Sequence, residues 1–283
     1  VHVLCEKPLA HTLDAAEQMA AADRDSAATT GIAFNYRFLP AMQLARELIA
    51  AGELGEIRHV RARYLQDSLV DPEAPWSWRN SAEIAGTGAL GDLGAHSIDL
   101  AQFLLDDRIG EVSGHLRTFV DERPIERESA GVADEGQTQP VTVDDAFSAQ
   151  VAFEDGAMGT FEASRFATGH DNANRIEISG SKGALRFDLE RLNELEVYRP
   201  GGRGFETVQM TETGDPYGDR WWPSGHVLGW EHAIIHENAE FLSAIDEDEP
   251  FAPDFQDGLA VQRVLAAIAE SDERGEWITV RGR

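Results

Sequence analysis

Between residues 56 and 199, apolar side chains repeatedly fall at every second position, the period of an extended strand. In "EIRHVRARYLQ", Val60, Ala62 and Tyr64 share one face while Arg61 and Arg63 take the other. Segments 111–120, 143–153, 157–166, 174–179, 184–189 and 194–199 are further strand candidates, and Asp155-Gly156 signals a hairpin between two of them. Strands connected this closely predict a large, mainly antiparallel sheet. The polar, unpatterned stretch 121–140 interrupts them and reads as a mobile loop.

The flanks have a different character. Val1, Val3 and Leu4 end a buried strand that Pro8 stops, and "TLDAAEQMAAADRD" then has helical spacing with Thr12 or Asp14 as its N-cap. "TTGIAFNYRF" reads as a short strand, and "LPAMQLARELIAAGELG" as an amphipathic helix closing at Gly52 or Gly55. Strand, helix, strand is half of a parallel α/β unit. Helices return at about 224–246 and 254–272, before a last short strand in "EWITV".

Composition narrows the classes of function. The 283 residues, 42% of them hydrophobic, suffice for one large domain or two ordinary ones. No apolar run approaches a membrane span, and the single cysteine, Cys5, excludes an internal disulfide framework. A reducing cytoplasm is the expected compartment. The net charge of -27, from 51 acidic and 24 basic residues, opposes binding to nucleic acid or an anionic membrane. That acidity is spread along the chain and only Lys7 and Lys182 are lysines, which reads as adaptation to high salt. Lys182 sits in a turn sequence. Lys7, in "CEKPLA", either answers a need for a compact ammonium or is a chance surface lysine.

The stretch "AGTGALGDLGAHSIDLAQFLL" contains Gly86-x-Gly88-x-x-Gly91. As a dinucleotide fingerprint this pattern needs a strand before it, a helix after it and an acidic residue ending the next strand. "PWSWRNSAEIA" is no apolar strand, and Asp106 ends a helix. Only the helix is present, with Leu93, Ser97, Leu100, Ala101 and Leu104 as its inward stripe. Asp92, His96 and Asp99, at i, i+4 and i+7, share a face of it. A carboxylate one turn before an imidazole can orient a general base. Equally, Asp92 can be a capping charge and His96 a satisfied, partly buried histidine.

Glu6-Lys7-Pro8, Asn35-Tyr36-Arg37 and the G-D-x-G-x-H-x-x-D run holding Asp92 and His96 occur in an order and spacing that resemble the Gfo/Idh/MocA oxidoreductases. The resemblance implies an α/β fold in which residues 1–36 are the C-terminal remnant of a Rossmann dinucleotide-binding domain. Residues 37–283 would form an α+β domain with a large, mainly antiparallel open sheet, a face used in that family for homo-oligomers. The chain begins near the fifth Rossmann strand of this plan. The pyrophosphate loop and the residue choosing NAD or NADP are therefore expected upstream, and the chain alone is expected to bind dinucleotide poorly.

The activity implied is hydride transfer between a sugar or cyclic polyol and NAD or NADP. By the same resemblance Lys7 lies beside the nicotinamide and the substrate hydroxyl, His96 takes the hydroxyl proton, and Asp92 binds a neighbouring hydroxyl or orients the imidazole. Glu6 and Pro8 shape the turn against the nicotinamide, and a Lys-Pro bond there can be cis. Asn35, Tyr36 and Arg37 either line the cofactor cleft or serve the fold. Trp76, Trp78 and Arg79 either stack on a sugar or are plain packing. In "DRWWPSGHVLGWEHAIIHE", His226 and Trp230 are the candidates for reaching the cleft. His232 and His236 have ligand spacing but lack the glutamate of H-E-x-x-H, so no metal site is expected. Two other functions stay open, an NAD-dependent glycosidase working by transient oxidation and a non-catalytic dinucleotide sensor.

Overall fold

The computed structural model describes residues 1–125 and 137–282. Strand β1 (Val3–Cys5), helix α1 (Leu13–Arg24) and strand β2 (Thr30–Ile32) come first, with β1 and β2 paired in parallel. Thr12 caps α1 by accepting from the Ala15 amide. The expected strand over 29–38 is shorter: Asn35–Phe38 coil into a 3-10 turn instead. Helix α2 (Pro40–Ala50) follows, with Pro40 in its first turn, where a missing N–H costs nothing.

The alternating region begins with β3 (Ile57–Leu65). A short helix α3 (Ala82–Ala85) precedes a π-helical turn, Leu90–Gly94, that runs into α4 (Ala95–Leu105). Strands β4 (Ile109–Arg117), β5 (Glu122–Pro124), β6 (Thr138–Pro140), β7 (Ala146–Phe153), β8 (Met158–Ser164), β9 (Ala173–Gly180), β10 (Ala184–Asp188), β11 (Glu194–Tyr198) and β12 (Glu206–Gln209) follow. Helices α5 (Glu231–Glu247) and α6 (Phe255–Arg274) and strand β13 (Ile278–Thr279) close the chain. In the described residues the large sheet has nine strands in the order β12-β11-β10-β9-β3-β8-β7-β4-β13. Only the β3–β8 pair is parallel, so the sheet is mixed but mainly antiparallel, as the alternation predicts. The hairpin at Asp155-Gly156 joins β7 to β8, with Gly156 at a φ of 97°.

Val60, Ala62 and Tyr64 are buried on one face of β3, and α4 packs there between α2 and α6. The predicted stripe of α4 is buried, but so are Ala95, His96, Ile98, Asp99 and Gln102. The helix is enclosed on nearly all sides instead of being amphipathic, which is why its polar residues need protein partners. The other face of the sheet is open. Arg61, Arg63, Glu162, Arg175, Glu177, Arg186 and Glu196 line a groove there of about 900 Å³.

Three further differences bear on the site. The ends of the predicted loop 121–140 are not loop: β5 and β6 pair with each other, while 126–136 lie outside the described residues. Strand β12 escaped the pattern because its four residues include a single partly buried apolar side chain, Val208. Helix α5 starts at Glu231, not near 224, because the glycine-rich 225–229 segment turns, with Gly225 at a φ of 88°. No helix among the described residues is long and apolar enough to cross a membrane.

Candidate active site

Glu6, Lys7 and Pro8 leave the C-terminal end of β1, the end at which parallel α/β sheets bind ligands. The Lys7–Pro8 bond is cis. These residues face the π-helical turn across a cleft of about 420 Å³, which is also lined by Trp78, Arg79, Thr87, Gly91, Asp92 and Arg165. Lys7 Nζ donates to Asp92 Oδ1 at 3.0 Å and to the Asp92 carbonyl. An ammonium has three protons, so one remains for a ligand in the cleft.

Asp92, which the sequence offers as an orienter of the imidazole, a ligand for a neighbouring hydroxyl or a capping charge, is turned to Lys7. The wider π turn gives residues 90–94 a different phase from a regular helix, so the i, i+4 relation does not carry Asp92 over His96. His96 is enclosed by Phe34, Tyr36 and Tyr64, its ring centroid 4.7 Å from that of Tyr36. Burial, reinforced by the nearby Lys7 charge, holds its pKa well below the ordinary imidazole value. The ring is thus neutral, the form that accepts a proton.

The glycines of the 86–91 pattern serve packing. Asp144 places its carboxylate on the start of the helix, accepting from the Gly88 amide at 2.6 Å and the Leu90 amide at 2.7 Å. A Cβ at Gly88 would collide with the Asp144 backbone carbonyl. The amides that a phosphate would seek already hold a protein carboxylate. Sequence reading missed Asp144, because an aspartate at the mouth of a strand looks like any turn residue.

Arg37, expected either to line the cofactor cleft or to serve the fold, is buried with its guanidinium bonded within the protein. Its Nε reaches Asp99 Oδ2 at 2.9 Å and its Nη1 reaches Asp257 Oδ2 at 3.3 Å, tying the 3-10 turn to α4 and α6. Asn35 is buried in the same turn. Trp78 and Arg79 do reach the cleft, with the guanidinium 4.4 Å from the indole centroid. Trp76 stands behind them, its amide donating to Pro124 and its indole to Pro140, so β5 and β6 support this lip. Trp230 approaches through Tyr36, to whose hydroxyl it donates at 3.2 Å. His226 is exposed, and its ring contacts the Pro223 carbonyl.

His232 and His236 do not present free nitrogens side by side. His236 accepts from the Trp221 indole at 2.6 Å and bonds the Phe38 carbonyl through Nδ1, while His232 Nδ1 accepts from the Gly229 amide. Arg165, Thr87 and Tyr64 were not anticipated. Arg165 stands just beyond β8, where strand alternation carries no hint of a cleft.

Residues 42–186 match the family model described as the GFO/IDH/MocA C-terminal domain. The chain is 38% identical over 99% of its length to levoglucosan dehydrogenase of Pseudarthrobacter phenanthrenivorans, covering 74% of that protein. The chain belongs to the Gfo/Idh/MocA family. Among solved structures, an oxidoreductase domain protein from Kribbella flavida superposes with a TM-score of 0.94 at 50% identity, over 99% of this chain and 75% of that one. Levoglucosan dehydrogenase in complex with NADH and levoglucosan superposes with a TM-score of 0.92 at 38% identity, over 99% of this chain and 74% of that one.

Proposed function

We propose that this chain carries the substrate-handling part of an NAD(P)-dependent oxidoreductase acting on a hydroxyl carbon of a neutral sugar, of the anhydrosugar or pyranoside kind. The observation that carries this reading is the Lys7 ammonium, held by Asp92 in a cleft whose lip is Trp78 stacked with Arg79. The likeness to levoglucosan dehydrogenase supports the substrate class. In this reading residues 1–36 belong to the dinucleotide-binding half and 37–283 to the substrate half.

The residues present fit the nicotinamide end of such a cofactor. Glu6, Lys7 and Pro8 line the cleft at the end of β1, whereas the amides at Gly88 and Leu90 are taken by Asp144 and offer phosphates nothing. A bound nicotinamide dinucleotide would accept the hydride released from the carbinol carbon. The remaining Lys7 proton meets the substrate oxygen and stabilises the negative charge that develops on it. His96, neutral through burial, takes the hydroxyl proton as the carbonyl forms. Asp92 holds Lys7 in place and offers its second carboxylate oxygen to a neighbouring hydroxyl. Trp78 covers an apolar face of the sugar ring.

The open face of the sheet is the proposed contact with a second copy. Its arginines and glutamates are interspersed and pair within the chain, Arg61 3.3 Å from Glu177 and Arg186 2.6 Å from Glu196, so the face carries both charge signs, as a self-matching contact with a second copy requires.

A panel of levoglucosan, methyl glucosides and inositols tests the reading, assayed with NAD and NADP at the absorbance of the reduced nicotinamide in protein that carries the dinucleotide-binding half together with this chain. Sugar binding is followed in parallel through the fluorescence lost in Trp78→Phe. Reduction with a neutral sugar is expected; neither reduction nor binding with any member of the panel contradicts it.

A further inference from the structure

Among the described residues no carboxylate sets the ring angle of His96: Asp92 is engaged by Lys7 and Asp99 by Arg37. Three aromatic rings bound it instead. Their planes make angles of 49° for Tyr36, 54° for Tyr64 and 75° for Phe34 with the imidazole, at centroid separations of 4.7, 6.1 and 6.2 Å, so the ring is packed by aromatic neighbours on three sides.

Two of these rings are tied into a hydrogen-bond chain of defined polarity. Trp230 Nε1, which can only donate, gives its proton to the Tyr36 hydroxyl at 3.2 Å. At the other end Tyr64 donates to Asn172 Oδ1 at 2.8 Å, an oxygen that also accepts from Gln66 Nε2 at 2.9 Å. A phenol has one proton. Tyr64 has spent its own on Asn172, so it accepts from Tyr36 across their 2.8 Å contact. Tyr36 is then committed at both ends and has no proton to give to the imidazole or to a substrate. Burial raises the pKa of both phenols, which keeps them protonated as the chain requires.

We propose that Tyr36 and Tyr64 are positioning residues for His96. The chain from Trp230 to Asn172 locks their rings against the imidazole and takes over the orienting role that a carboxylate has beside other histidine bases. The inference rests on the reading of His96 as the proton acceptor. Neither tyrosine lines the cleft, and each acts through its contact with the histidine ring.

Tyr36→Phe and Tyr64→Phe keep the rings and remove the hydroxyls; Trp230→Phe removes the donor at the far end. Histidine side-chain NMR of this chain reads ring order and protonation without turnover, with the His96 signals assigned by their loss in His96→Gln. Wild type is expected to show one sharp set of ring signals that stays unprotonated well below the ordinary histidine range. In all three variants the signals should broaden or double, and the titration midpoint should rise by roughly half a unit or more. Turnover should fall about tenfold in kcat, with KM for the sugar within about twofold. Wild-type ring signals and kcat in both tyrosine variants would overturn the positioning role alone. Undiminished turnover in His96→Gln would instead remove the reading on which it rests.

Discussion

Lys7 and Asp92, 85 residues apart in the chain, meet at 3.0 Å across the cleft between the end of β1 and the π-helical turn. This contact joins the two motifs around one ammonium. Asp92→Asn keeps the shape of the side chain and removes the charge that fixes Lys7. The expected outcome is a kcat lower by roughly 10- to 100-fold, with a smaller change in KM, in steady-state kinetics on the preferred sugar. An unchanged kcat would mean that the ion pair serves only the fold.

The role of Asp144 is structural, and its loss should show as stability. Asp144→Ala leaves two buried amides at the start of the helix without an acceptor. A loss of about 1–3 kcal/mol in denaturant unfolding is expected. Asp144→Asn, which keeps one acceptor oxygen, should lose less.

How far the fold could be read from the sequence depended on how local its cause was. The alternation of Val60, Ala62 and Tyr64 against Arg61 and Arg63 depends only on neighbours in the chain, and β3 takes the predicted faces. Pairings made at long range were hidden. Nothing near Arg37 announces that its guanidinium bonds Asp257, 220 residues on. Nor does the glycine run show that Asp144, 56 residues past Gly88, will occupy its amides. At the site, the residue types near the cleft were legible but the phase was not: a regular helix pairs Asp92 with His96, and the π turn pairs it with Lys7. The tyrosine chain had no local signal, since Tyr64 reads simply as a core residue of a strand.

Glu237 on α5 is buried with one carboxyl oxygen lacking a partner. Burial, with Glu6 and Asp99 nearby, pushes its pKa from 4.5 up to about 8. The folded state therefore holds a proton that the unfolded chain has already released at neutral pH. The stability this group contributes is complete below the unfolded value and is lost progressively as pH rises toward about 8. Thermal unfolding between pH 5 and 9 should show Tm falling in the wild type more steeply than in Glu237→Gln. Parallel pH profiles would contradict the assignment.

The net charge of -27 repels itself in the folded state. Salt shortens the screening length from about 10 Å at 0.1 M to about 3 Å at 1 M. Raising potassium chloride from 0.1 to about 2 M is expected to raise Tm by roughly 5 °C or more. A flat or falling Tm would argue against adaptation to high salt.

Lys7, which lines the cleft, and His96, buried close to Lys7 but not itself lining the cleft, are proposed to perform the chemistry on a sugar hydroxyl. The most direct test of this is the turnover of Lys7→Met and His96→Gln with the preferred sugar and dinucleotide, measured alongside sugar binding. With the dinucleotide-binding half present, both variants are expected to bind sugar still while kcat falls by roughly 100-fold or more. Turnover near that of the wild type in both would contradict it.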